Sequence, residues 1–235
     1  MPHRDWSHVA LLLNDADFAA QPQLAKRFAK CRESFEGCGV SDAGVYVFES
    51  IPGYGATMDS LENWMRDCKI EDGAYMCAGV RQLERPVGHE FDFGRIVDLL
   101  GRHQKADYTE QADEFVRCVF RLNNSENPDH LFCSELVTLV LAEIGVVQSD
   151  VLVNNTVPGD FYASHAATHM DIQDYFHPGF ALTGCVRLLD TTATDKDGGS
   201  SERAAKAAPT TVGDWVSVGT ANLRSIAGAT HGRVD

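Results

Sequence analysis

Residues 131–145 have the sequence LFCSELVTLVLAEIG, which predicts a buried helix. Apolar residues occupy most positions after Cys133, so this helix has little polar face to present to water. The pattern begins at Cys133 and ends at Gly145, a residue type that commonly closes helices. We therefore expect the rest of the chain to pack around this segment.

Cys133 is the candidate nucleophile of this segment. A thiol at a helix start meets the positive end of the helix dipole and backbone N–H groups that have no partner within the helix. Both favour the thiolate, which is the nucleophilic form of cysteine. An isolated cysteine in an apolar helix is more often a packing residue, so the prediction of a nucleophile depends on a base elsewhere in the chain.

Two apolar, strand-like segments supply candidates for that base and for its partner. Residues 8–13 are HVALLL, so His8 opens an apolar strand; residues 45–50 are VYVFES, with Glu49 late on a second one. A carboxylate in apolar surroundings costs free energy unless it is paired, and His8 is a suitable partner. The alternative is that Glu49 lies at the strand end and is solvated.

The remaining pattern predicts a mixed domain with a separate C-terminal region. Further predicted elements are a partly helical region over 17–38, a helical face shared by Met58, Leu61 and Met65, a strand near 74–83, a helix over Phe91–Leu100 stopped by Gly101, an amphipathic helix capped by Thr109, and a last strand over Cys185–Leu189. We assign residues 1–190 to the folded domain. Residues 191–211 are rich in small and polar residues and predict a flexible linker, and residues 212–235 predict a weakly ordered tail.

Charge and cysteine content exclude several classes of function. The chain has 34 acidic and 20 basic residues, and five of each lie after Asp190, so the whole excess of negative charge belongs to the first 190 residues. Such a surface argues against nonspecific binding of nucleic acid. Seven irregularly spaced cysteines, no signal peptide and no membrane-spanning run predict reduced thiols in a cytoplasmic protein.

Four segments together resemble the circularly permuted members of the papain-like NlpC/P60 superfamily, the YiiX-like group. Residues 7–11 resemble the histidine strand of that family, and residues 46–50 resemble its acidic strand. Residues 132–137 resemble its nucleophile helix, and Val157-Pro158-Gly159-Asp160 resembles the turn that follows that helix. The similarity spans roughly residues 6–190, and the segment FCSEL is its most specific part.

The resemblance implies a fold, an activity and a set of site residues. The expected fold is α+β, a permuted papain-like arrangement in which an antiparallel sheet packs on the nucleophile helix. The expected activity is a cysteine amidase or peptidase that needs no metal and no other cofactor, with a peptide or lipid-like amide as substrate. Cys133 matches the nucleophile, His8 the base and Glu49 the orienting group. Tyr54, Ser134 and Pro158 are the predicted substrate-binding residues.

Three alternatives remain open at this stage. The same cysteine and histidine could serve an esterase or an acyltransferase, because both reactions share the acyl-enzyme step. A binding domain that keeps the cleft without turnover is a second alternative. His165 and His169 are spaced for two zinc ligands on one helical face, but no HExxH motif accompanies them, so the sequence favours a site without metal.

Overall fold

The computed structural model of the protein describes residues 8–68, 75–108, 117–118, 120–123, 130–161, 171–184, 186–190 and 215–221. Their fold is α+β with antiparallel strands. The strands are β1 His8–Asn14, β2 Val45–Ile51, β3 Gly55–Ser60, β4 Tyr75–Glu84, β5 Ala181–Leu182, β6 Val186–Asp190 and β7 Trp215–Ala221. The helices are α1 Asp15–Ala19, α2 Pro22–Glu33, α3 Leu61–Cys68, α4 Phe93–His103 and α5 Cys133–Glu143, with 3-10 turns at Val153–Asn155, Pro158–Phe161 and Ile172–Tyr175.

The strands form one sheet with the order β3-β2-β1-β7-β4-β5, and β6 pairs with β4 as well. β1 and β2 are antiparallel in the register Leu11 opposite Phe48 and Leu12 opposite Val47. Side chains alternate between the two faces of a strand, so this register fixes which residues of β1 and β2 share a face. Glu49 comes two residues after Val47 on β2, so the two side chains lie on the same face of the sheet.

Each face of the sheet has its own apolar cluster. The larger cluster joins Val9, Leu11 and Phe48 to helix α5, whose Leu136 and Val140 have no exposed surface. Burying one such aliphatic side chain contributes about 1.5–3 kcal/mol. The smaller cluster, on the opposite face, consists of Ala10, Leu12, Val47, Trp64 and Val80. Helix α3, which carries Trp64, therefore covers the face opposite to α5.

Helix α5 begins and ends where the sequence predicts. At its start, the backbone N–H of Phe132 donates to Glu135 Oε2 at 2.8 Å. At its end, Gly145 has a φ of 76°. The N–H of Gly145 donates to Ala142 O, and that of Val146 donates to Leu141 O, which is the Schellman arrangement. Both ends of α5 are thus fixed by hydrogen bonds.

Two local predictions are wrong. The helix predicted to stop at Gly101 instead runs from Phe93 to His103, because Gly101 does not adopt the positive φ that ends a helix. Met58 does not share a helical face with Leu61 and Met65. Met58 lies on β3 opposite Phe48. The helix begins only at Leu61, and Ser60 Oγ, just before it, accepts a hydrogen bond from the N–H of Asn63.

The other predicted elements agree with the structure to within two or three residues wherever it describes them. The amphipathic pattern that begins at Thr109 lies mostly outside the described residues, as does the linker at 191–211. Within the range 212–235, predicted as a weakly ordered tail, residues Trp215–Ala221 form strand β7 between β1 and β4. The C-terminal region therefore supplies an inner strand of the sheet.

Two glycines of the turn between β2 and β3 provide a test of how this turn packs. Both have positive φ, but a Cβ on Gly53 meets nothing within 4 Å, whereas one on Gly55 lies 2.2 Å from Ala106 O. Gly53→Ala should lower the free energy of unfolding by about 1–2 kcal/mol, the cost of a left-handed conformation. Gly55→Ala should lower the free energy of unfolding by more. The Ala106 carbonyl, which accepts from the N–H of Ala56, must also move in that variant. Equal urea midpoints for the two variants would contradict this packing.

Candidate active site

A histidine and a carboxylate form a buried pair at one end of the sheet. His8 is the first residue of β1, and its Nε2 lies 2.6 Å from Glu49 Oε2 on β2. The side chains are almost fully enclosed: His8 is 6% exposed and Glu49 is 7% exposed. Glu49 is therefore paired within the protein, and the alternative of a solvated carboxylate at the strand end is wrong.

The second oxygen of the carboxylate also has a donor. The indole Nε1 of Trp64, on α3, donates to Glu49 Oε1 at 3.1 Å. Each oxygen of Glu49 thus contacts a different donor, one on β1 and one on α3. The sequence does not indicate a role for Trp64 in the site, because residue spacing along α3 does not show which side chain of β2 faces it.

Cys133 completes the group from the opposite side of the sheet. It is the first residue of α5, it is 4% exposed, and it belongs to the larger apolar cluster. Cys133 is close enough to His8 to raise the pKa of the imidazole through its charge and through hydrogen bonding. The three residues meet at the end of the sheet, where β1 and α5 both begin.

The charges around His8 raise its pKa. Burial alone disfavours the imidazolium and lowers the pKa, but the negative charges of Cys133 and Glu49, and the hydrogen bonds with both, outweigh burial and raise it to about 10. The imidazolium is therefore favoured at neutral pH when both partners are ionised. A thiolate beside an imidazolium is an activated sulfur nucleophile with a proton donor at hand.

The segment before Cys133 is held by backbone contacts. Ser50, next to Glu49 on β2 but on the other face, donates its hydroxyl to Leu131 O at 2.7 Å. The N–H of Leu131 donates to Asp107 O at 3.0 Å. These bonds leave Leu131, two positions before Cys133, little freedom to move. Sequence patterns alone did not indicate this use of Ser50.

Ser134, one of the predicted substrate-binding residues, lies inside the protein, and a role in substrate binding stays a prediction for it. Ser134 is 1% exposed, and its hydroxyl donates to Thr156 O at 2.6 Å inside the protein. Successive residues of a helix are turned by about 100°, so the side chain after Cys133 points away from the side on which the thiol lies. Ser134 holds the segment after α5 in place.

The other two predicted substrate-binding residues lie on loops. Tyr54 is 79% exposed in the turn between β2 and β3, three residues beyond the end of β2. Pro158 opens a 3-10 turn whose Asp160 is fully buried, with Arg121 Nη2 at 2.8 Å from its Oδ1. A role in substrate binding stays a prediction for both residues.

The zinc alternative depends on His165 and His169 and stays a hypothesis. The described residues contain no group of three or more His, Cys, Asp or Glu side chains that could hold a metal ion. His165 and His169 lie outside the described ranges. Cys31, Cys38, Cys118 and Cys133 are free thiols.

Comparisons with models of protein families, with curated proteins and with solved structures found no match to this chain. The geometry of the site is therefore the basis for its functional interpretation. In the part of the chain that the structure describes, no helix is long and apolar enough to cross a membrane.

The elevated pKa of His8 can be tested by removing each of its charged neighbours. Cys133→Ala and Glu49→Gln should each lower the pKa of His8 below about 10, since each removes a negative charge that stabilises the imidazolium. The measurement is a pH titration of the His8 ring by ¹H–¹⁵N NMR. Cys31→Ala, which changes a half-buried thiol on α2, is the control and should leave that pKa unchanged. A wild-type pKa near 6.5 would contradict the arrangement.

The thiols should differ in reactivity as their surroundings differ. Burial raises the pKa of Cys31, and it raises the pKa of Cys38 to about 11 and that of Cys118 to about 12, with nearby carboxylates adding to the latter two. With limiting iodoacetamide at neutral pH, we therefore expect Cys133 to be alkylated first, as peptide mapping of the folded protein would show. If another thiol is modified while Cys133 stays intact, Cys133 is not the activated cysteine.

Proposed function

We propose that this protein is a cysteine hydrolase that cleaves an amide bond in a peptide-like or acyl-linked substrate through a thioacyl intermediate. The observation that carries the proposal is the arrangement around His8: its Nε2 lies 2.6 Å from Glu49 Oε2, and Cys133, at the start of α5, is close enough to raise its pKa. These are the nucleophile, the proton carrier and the orienting carboxylate that thiol-dependent acyl transfer needs.

The proposed reaction follows from these positions. The Cys133 thiolate attacks the substrate carbonyl carbon, and the carbonyl oxygen becomes an oxyanion. The His8 imidazolium then gives its proton to the leaving nitrogen as the C–N bond breaks, which leaves a thioester on Cys133. Neutral His8 next takes a proton from water, the hydroxide attacks the thioester, and the carboxylic acid product leaves. The backbone N–H of Cys133, at the helix N-terminus, is the candidate donor to the oxyanion.

Chain order and packing support a permuted papain-like fold for this site. The histidine and the carboxylate come from β1 and β2, which precede the cysteine in sequence, and the antiparallel sheet packs on the helix that begins with the cysteine. This is the arrangement that the resemblance to the permuted NlpC/P60 superfamily implies. We propose a peptide or lipid-like amide as substrate on the same ground, with no resident metal or other cofactor.

An esterase or acyltransferase would use the same residues and the same thioester. It would differ only in the leaving group or in the acceptor that replaces water. A binding domain without turnover is the rival from another class. Only 4% of Cys133 is exposed, which favours that rival because substrate must reach the sulfur. The charged His8–Glu49 pair favours the hydrolase, since a binding cleft has no need to hold a histidine protonated.

Substitution of the three residues separates the hydrolase from the binding domain. Cys133→Ala should reduce hydrolysis of a fluorogenic acyl-amide or muropeptide-like substrate to background. His8→Ala should reduce kcat by about 10³-fold or more, because the members of such a set act as a unit. Glu49→Gln should reduce kcat by less, since it keeps the shape of the side chain. Melting temperatures of all variants serve as the control for folding.

Two outcomes would replace the proposal. If wild type binds these ligands and all four proteins show the same background rate, the protein is a binding domain. If hydrolysis needs added zinc and disappears with a chelator, the His165 and His169 pair becomes the candidate centre.

A further inference from the structure

Trp64 lies where a rigid side chain can set the orientation of Glu49. It is on α3, it is 6% exposed, and it packs with Ala10, Leu12 and Val47 on the sheet face opposite to α5. Its helix is tied to β3 at the start, where Ser60 Oγ accepts from the N–H of Asn63. The indole therefore has little freedom to follow the carboxylate if the carboxylate moves.

The hydrogen bonds of Glu49 divide between two elements. Oε1 accepts from Trp64 Nε1 at 3.1 Å, and Oε2 lies 2.6 Å from His8 Nε2. A carboxylate can rotate about its terminal torsion at little cost, because that torsion is broad. A donor on each oxygen removes this freedom, and one of the two donors belongs to a buried, rigid ring.

We propose that Trp64 is a positioning residue whose indole N–H holds the Glu49 carboxylate in the orientation that contacts His8. Trp64 acts on the chemistry through Glu49 and His8. Its effect on catalysis rests on the proposed hydrolase function, whereas its effect on His8 does not.

The consequence of losing this hydrogen bond differs from that of losing packing. In Trp64→Phe an aromatic ring remains in the apolar cluster, but Glu49 Oε1 is left buried without its donor, a state that proteins avoid. The carboxylate then turns toward other donors or water, and its contact with His8 weakens. Since Glu49 is one of the two negative charges that stabilise the imidazolium, the pKa of His8 should fall.

The test uses the full chain and two variants with matched changes on either side of β2. Trp64→Phe removes the donor to Glu49. Tyr46→Phe removes a buried hydroxyl on the other face of the same strand, which accepts from the N–H of Ser41 at 3.2 Å and from Arg32 Nη1 at 2.5 Å. The measurements are the NMR titration of His8 and the rate of alkylation of Cys133 by iodoacetamide between pH 5 and 10.

We expect a lower pKa of His8 in Trp64→Phe. We also expect alkylation of Cys133 at neutral pH to be roughly 10-fold slower, which is the lower end of the effects seen when a residue that orients a metal ligand is lost. Tyr46→Phe should change neither quantity, although it too loses a buried hydrogen bond. If the pKa of His8 is the same in Trp64→Phe as in wild type, Trp64 is a packing residue and the proposal is overturned.

Two further measurements cover the cases in which Trp64→Phe does not fold or the protein shows no turnover. If Trp64→Phe does not fold, the indole N–H resonance of Trp64 is followed in Glu49→Gln, where the proposal requires a changed chemical shift and faster hydrogen exchange; an unchanged resonance overturns it. Turnover of the acyl-amide substrate is measured in parallel. A protein without turnover in which Trp64→Phe still lowers the pKa of His8 would overturn the hydrolase proposal and leave the positioning role intact.

Discussion

The buried contact between His8 and Glu49 is the constraint around which the site is arranged. Two ionisable side chains that are less than a tenth exposed must satisfy each other, and breaking such a pair by removing one partner costs about 3–5 kcal/mol. The contact exists only in one register of β1 against β2. A slip of one residue would turn Glu49 to the α5 face and leave His8 without its carboxylate.

Strand β2 positions both halves of the site from neighbouring residues. Glu49 points to the face of Trp64 and contacts His8, while Ser50 points to the opposite face and fixes the carbonyl of Leu131. Because the two residues are consecutive on one extended strand, the carboxylate and the segment before Cys133 are held relative to each other by rigid backbone. The pairing of β2 with β1 and β3 makes that backbone an inner part of the sheet.

The sequence predicts the elements that carry the site better than the contacts between them. The strands around His8 and Glu49 and the helix from Cys133 to Gly145 have clear apolar patterns and a clear stop signal, and the structure has all three. The predicted helix end at Gly101 is wrong because this glycine does not adopt the positive φ with which a glycine closes a helix. The contacts of Trp64 and Ser134 depend on the directions that their side chains take once the helices pack on the sheet. β7 follows a long region of small and polar residues, and its place between β1 and β4 depends on long-range pairing.

Stability alone does not account for this arrangement. Apolar side chains of similar volume in place of a buried ion pair are often neutral or stabilising, by about 1–4 kcal/mol. Positions 8 and 49 lie on strands whose other residues are mostly apolar, so apolar residues at both would suit the sheet. The chain instead has a histidine and a carboxylate there, and it directs them toward a cysteine at the start of a helix. Burial also excludes water, which strengthens the interaction of each charge with the next. A buried ionisable pair that folding does not require, next to a thiol at the start of a helix, is a further reason for proposing chemistry at Cys133.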